Sequence, residues 1–258
     1  MLRLLWLLWA LAAGTGAVAA ERIRYCDYPV YPPISWSDGK QVRGLAPTVV
    51  KQLFARLGYE VDIVVLGNWK RCLLDAAEGR VDVVLAYSTA QREQSMRFST
   101  VPVLREEVAV FVNRNHPVTF EKLEDLGHYR GGLLFGESYG PDFDRFVMQH
   151  NNIEWVSDSR QNFGKLIRGR IDFITQERRT GELYVEHMPG AESITALPRS
   201  LSVDYLRIAV SRHSALAERM PQIDAELQRM VDAGEVERWL NESEATYRDM
   251  INLPVNSR

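Results

Sequence analysis

The chain has 258 residues, with 31 basic against 34 acidic side chains, a formal net charge of −3, and 46% hydrophobic residues. That length suits one large domain or two small ones with a substantial core. A mild acidity with no basic stripe argues against nucleic acid as a partner and against electrostatic docking on membranes.

Residues 1–20, "MLRLLWLLWALAAGTGAVAA", carry one charge, Arg3, then an apolar stretch from Leu4 to Ala13 and small residues before Glu21. This is the pattern of a secretory signal peptide cleaved at Ala19 or Ala20. A membrane anchor is the alternative. It needs about 20 apolar residues, and this run breaks at Gly14–Thr15–Gly16. Cleavage would leave 238 residues (258 − 20), free, soluble and periplasmic.

From residue 22 strands and helices alternate. "RIRYC" is expected as a strand. "APTVVKQLFARLG" places Val49, Val50, Leu53, Phe54 and Leu57 on one helical face and stops at Gly58. "VDIVVL" is the next strand, "WKRCLLDAAEG" the next helix and "VDVVLA" a third strand. Such alternation implies parallel pairing through right-handed crossovers. After the strand "EEVAVFV" a second series follows: strand "GGLLFG", helix "PDFDRFVMQH" with Pro141 at its start, strand "IEWV", helix "QNFGKLIRG" and strand "RIDFIT". The strand "YLRIAV" and the helices "MPQIDAELQRMVDAG" and "EVERWLNE" complete the chain. The fold class is α/β in two lobes. If the last segment returns to the first lobe, two chain crossings form a hinge.

The only two cysteines, Cys26 and Cys72, fall at the carboxyl edge of the first sheet, at the end of a strand and in the first turn of a helix. A disulfide between them is one expectation for an oxidising compartment, and two separate thiols the other.

The stretches "YPPISWSDGKQVRGLAP", "RLGYE", "CLLDAAEGRVDVVLA", "TAQR" and "RFSTVP", followed by "GRIDFITQE" and "LQRMVDAGEVERWL", occur in an order covering nearly the whole chain after residue 20. In this the sequence resembles the bacterial extracellular solute-binding proteins of family 3, the polar amino acid receptors of ABC importers. The resemblance implies a type II periplasmic binding protein fold. Residues 21–108 and 206–258 would form lobe 1 and 109–205 lobe 2, each a mainly parallel sheet flanked by helices, with a ligand cleft between them. It implies no chemistry and no cofactor. It implies a small carboxylate-bearing solute, an amino acid or related acid, bound by hinge closure, an ABC permease as partner, and a monomer.

Arg92 matches the family's carboxylate-binding arginine, and a planar guanidinium can hold both carboxylate oxygens. Thr89 would add a hydroxyl and an N–H; a solvated turn in which Arg92 pairs with nearby acids is the plainer alternative. Carbonyls near Tyr87 and Ser88 would face the solute's amine, although the family's segment here is about two residues longer. Trp69 and Tyr31 match aromatics that sandwich the solute, with core packing as the alternative, and Trp36 is expected to cap the lobe interior. Glu177 stands where the family places an amine-accepting aspartate, unless Arg178 and Arg179 capture it. Ser138, before a helix start, is either a solute contact or a cap. Asp82 and Asp172, each in "G-R-hydrophobic-D", are expected to be structural, capping neighbouring helices.

The five histidines are scattered, with no H-E-x-x-H, no Cys-x-x-Cys and hence no expected metal, and neither a G-x-S-x-G elbow nor a P-loop occurs. An enzyme is therefore not expected. A dehydratase on the same scaffold, with Glu177 as acid or base, and a ligand sensor without a transport role are the alternatives.

Overall fold

The computed structural model describes residues 20–252, so the signal peptide expected over residues 1–20 lies, but for Ala20, outside the described residues. The first lobe begins with β1 (Glu21–Asp27), a small antiparallel sheet of β2 (Val30–Tyr31), β3 (Ser35–Ser37) and β4 (Val42–Arg43), and α1 (Leu45–Arg56). β5 (Tyr59–Val65), α2 (Trp69–Ala77), β6 (Val83–Tyr87) and β7 (Met96–Phe98) follow, then the long β8 (Leu104–Asn113). The second lobe holds β9 (Gly131–Leu134), α3 (Pro141–Met148), β10 (Ile153–Val156), α4 (Ser159–Ile167), β11 (Phe173–Glu177) and α5 (Arg178–His187). β12 (Ile194–Ser211) leads back to α6 (Met220–Asp232) and α7 (Glu235–Asn252).

The main strands form one curled sheet in the order β10-β9-β11-β8-β12-β6-β1-β5, with β7 also on β12. Pairing is parallel within each strand–helix–strand series, β1 with β5 and β6, and β9 with β10 and β11. β8 and β12 run antiparallel to each other and carry the chain between lobes. β12 is irregular between Ala196 and Ser202, where its register against β8 shifts twice. The expected division at 108/109 and 205/206 thus falls inside two paired strands rather than in loops.

Burial separates the halves. One pair of apolar clusters draws on residues within 23–103 and 206–240, the other on residues within 108–194. In α1 the buried Val49, Val50, Leu53 and Phe54 form the stripe that the 3.6-residue period predicts. Asp82 and Asp172 are structural but cap no helix in the expected way. Each carboxylate accepts the backbone N–H of an arginine at a neighbouring strand, Arg24 and Arg130 respectively, both at 2.8 Å. The two lobes use one device to fasten their strand starts.

Cys26 and Cys72 are bridged, with their Cα atoms 5.6 Å apart. The bond ties the carboxyl end of β1 to the first turn of α2, beside Trp69. Among the described residues no helix is long and apolar enough to cross a membrane.

Candidate functional site

Residues 88–95 form a tight turn after β6. The Thr89 hydroxyl accepts the Arg92 N–H at 3.2 Å, and the Ser88 hydroxyl donates to Glu93. Both hydroxyls are engaged within the turn. Arg92 is not solvated: it is 8% exposed. Its Nη1 donates to the carbonyl of Tyr87 at 2.8 Å, and its Nη2 reaches the opposite lobe to donate to the carbonyl of Gly136 at 2.8 Å. The guanidinium therefore stitches lobe 1 to lobe 2. Burial draws the pKa of this guanidinium below its usual value, and the nearby Glu137, Asp144 and Asp204 offset that only in part.

A pocket opens beside this stitch, between the carboxyl end of β1, the mouth of α2, β6 and the end of β11. Tyr31, Trp69, Tyr87 and Glu177 all line it; Arg92, Thr89, Ser88 and Ser138 do not. Five aromatic residues stand in its walls, Tyr25 and Tyr28 joining Tyr31, Tyr87 and Trp69. Acids supply its charge: Asp27, Glu137 and Glu177 line it, and no lysine or arginine does. Ser138 instead donates its hydroxyl to the side chain of Asp144 in the first turn of α3 and is not the cap, since Gly140 holds the N-cap position. Trp36 sits in the lobe interior, edge-on to Tyr247 of α7 with ring centroids 5.3 Å apart.

Glu177 ends β11 and is 4% exposed. Its carboxylate accepts the Tyr87 hydroxyl at 3.1 Å and the Gln176 side-chain amide. Tyr31 and Tyr87 hydroxyls meet at 3.1 Å, and Ser159 donates to Gln176 at 2.7 Å. A polar chain thus runs from Tyr31 in lobe 1 through Glu177 to Ser159 in lobe 2. Arg178 and Arg179 leave Glu177 alone: Arg178 pairs with Glu107 and Arg179 with Glu244.

Unpaired burial governs the electrostatics. Glu177 is pushed above the usual carboxylate range by burial. Glu137 rises to about 8, through burial first and the facing Glu177 second. Glu106, on β8, also rises to about 8 from burial and the charge of Glu177, and one of its carboxylate oxygens has no partner. Asp27 rises to about 6, since burial outweighs the hydroxyls of Ser35 and Tyr25 that it accepts at 2.6 and 3.0 Å. A desolvated acid of this kind attracts a cation or holds a proton. Among the described residues no group of His, Cys, Asp and Glu is arranged to hold a metal ion.

The lobes meet all round the pocket. Thr180 at the start of α5 donates to the Pro32 carbonyl at 2.6 Å, and the Tyr184 hydroxyl donates to that of Val30. Arg248 of α7 pairs with Glu186 of α5. Gly136, with φ +87°, lies so close to Lys70 that an added Cβ would stand 2.8 Å from its Cα and N. Sequence reasoning missed Asp27, Glu106 and Gln176, and Glu137, in the stretch ahead of α3 that suggests an anion site, instead brings an acid to the pocket. The place of Asp27 just after the strand "RIRYC", and of Gln176 just before Glu177, is the signal that was available; nothing in the sequence marks Glu106.

Likeness to solved structures shows the same fold. An ancestral arginine-binding protein bound to arginine matches with a TM-score of 0.75 and 19% identity, covering 87% of this chain and 98% of that one. The amino acid ABC transporter substrate-binding protein AbpA from Streptococcus pneumoniae, bound to L-arginine, matches with a TM-score of 0.75, 18% identity and coverage of 90% and 97%. A histidine kinase sensor domain similar to periplasmic binding proteins gives 0.74, 18%, and 86% and 97%. No curated relative matches. The family model for bacterial extracellular solute-binding proteins, family 3, matches residues 23–243. With two lobes joined by paired crossing strands and a pocket at their seam, the chain belongs to the bacterial extracellular solute-binding proteins of family 3.

Proposed function

We propose that the chain is a periplasmic receptor that closes on a small amine-bearing solute, an amino acid or a near relative of one, and presents the closed form to an ABC importer permease. One observation carries this: Asp27, Glu137 and Glu177 converge on an aromatic-walled pocket at the seam of the lobes, with no basic side chain in its lining. Charge-assisted hydrogen bonds and aromatic faces are the means by which such a pocket selects an ammonium group. Glu177 accepts the amine, and Tyr31, Trp69 and Tyr87 cover the solute's body. Arg92 joins the lobes over it. The arginine carried by two of the similar structures fits an amine-bearing solute.

A thermal-shift screen of amino acids, amines, polyamines and small organic acids tests the proposal on the monomeric mature chain. A solute at 100 times its Kd stabilises by about 2.7 kcal/mol, a rise in Tm of about 5–10 °C for a chain this size. A screen without a shift removes the receptor function, and steady depletion of the shifting solute turns the protein into an enzyme. The sensor domain among the similar structures makes sensing the second reading; a solute that binds the protein but whose uptake by cells is unchanged when the protein is deleted would select it.

A further inference from the structure

The groups that would hold a solute's carboxylate are already engaged within the protein. We infer that the solute is an organic cation without a carboxylate, an amine rather than an amino acid; the inference rests on the receptor function proposed above and narrows its substrate class.

Four observations converge. Arg92, the guanidinium that bridges the lobes, directs Nη1 and Nη2 at the carbonyls of Tyr87 and Gly136 and does not line the pocket. Of the hydroxyls beside it, Ser88 donates its proton to Glu93, and Thr89 is held by the Arg92 N–H that it accepts; neither lines the pocket. In the opposite lobe, backbone donors ahead of α3 have partners within the chain: the Tyr139 N–H goes to Asp144 at 2.9 Å and the Glu137 N–H to the Leu134 carbonyl at 3.3 Å. Asp142 and Asp144 already supply negative charge at that helix start, where an incoming anion would otherwise be favoured. Finally, the pocket carries three carboxyls and no basic side chain.

A zwitterion entering this pocket would place its carboxylate among Asp27, Glu137 and Glu177 with no cation to receive it. The donors left over in the lining are neutral, such as the buried indole N–H of Trp69, which lacks an acceptor. Neutral donors of this kind suit a hydroxyl or carbonyl and do not offset the desolvation of a carboxylate among three acids. A cation meets the opposite situation. Its ammonium replaces the protons that the buried acids otherwise keep, and its apolar body lies against Tyr31 and Trp69. The solute then satisfies acids that the protein leaves under-paired.

Pairs of compounds that differ by a carboxylate alone decide the matter: lysine with cadaverine, ornithine with putrescine, arginine with agmatine, histidine with histamine, and tyrosine with tyramine. Calorimetric titration of each pair into the purified mature chain at pH 8 reads the preference. The expected result is that at least one amine binds tenfold or more tightly than its parent amino acid, with protons released on binding. A parent that binds as tightly as its amine, or more tightly, overturns the inference while leaving the receptor function in place. Binding confined to compounds with no amine also overturns it. Silence from these pairs and from every solute of the wider screen removes the receptor function, and the inference falls with it.

Discussion

Glu177 is buried, accepts two hydrogen bonds, faces Glu137 across the pocket and feels the charge of Glu106 on β8, so as an anion it is under-compensated. Arg178 and Arg179, adjacent in sequence, pair with Glu107 and Glu244 instead. That leaves its charge for a solute. A hydrogen bond to a charged group contributes about 1.5–3 kcal/mol, which is about 10- to 150-fold in affinity. Glu177→Gln keeps the length and an acceptor for Tyr87 while removing the charge. Its expected effect is a loss of that size in affinity for the solute found by the thermal screen, with the unfolding free energy of the ligand-free protein changed by about 1 kcal/mol or less. Calorimetry and urea unfolding measure the two quantities separately. Unchanged affinity would take Glu177 out of solute recognition, and a large loss of stability would make its role structural.

Between strand and helix, most of the architecture was legible because local periodicity and burial agree. The stripe of α1 and the parallel series up to β6 come directly from apolar spacing and glycine stops. α5 was not legible. Its sequence, "RRTGELYVEH", carries Gly181 mid-helix, which costs about 1 kcal/mol relative to alanine. The fold requires it, because a Cβ there would collide with the Phe111 ring of β8. β12 extends over 18 residues, well beyond the alternating run "YLRIAV"; its first half pairs with β8 through two register shifts that break the alternating pattern. Gly136 belongs to this class of long-range requirement. It adopts a left-handed conformation that disfavours other residues by about 1–2 kcal/mol, and it packs on the Lys70 backbone only when the lobes meet. Gly136→Ala is therefore expected to weaken solute binding by tenfold or more while lowering the Tm of the ligand-free chain by only a few degrees. Calorimetry beside a thermal melt checks this, and wild-type affinity would mean that the turn yields without hindering closure.

For the molecule as a whole, the sequence located the seam better than the direction of the side chains along it. Tyr31, Trp69, Tyr87 and Glu177 meet in one pocket, since each stands at the carboxyl edge of its lobe. Arg92, Thr89, Ser88 and Ser138 lie in loops of the same rim, yet their polar groups turn to Gly136, Arg92, Glu93 and Asp144. Which way a rim side chain turns depends on the partner that the other lobe or the next turn offers, and spacing does not carry that information. The acids that gather when the lobes close have a consequence for the entire fold. Asp27 at about 6, Glu106 and Glu137 at about 8, and Glu177 also raised make the folded chain bind more protons than the unfolded one above about pH 4. Their stabilising contribution is complete below the unfolded values and is lost as pH rises through the folded ones. Asp172 and Glu226, held low by Arg130 and Arg229, act in the opposite sense and cost stability only as pH falls below about 4. The urea midpoint of the ligand-free chain is accordingly expected to decline from pH 5 to about pH 8 and then level off. A saturating cationic solute removes most of the decline, because it favours the ionised acids. A ligand-free midpoint that instead rises between pH 5 and 8 would mean that these carboxyls have compensating partners, and the pocket would lose the unbalanced charge on which its selectivity for an amine depends.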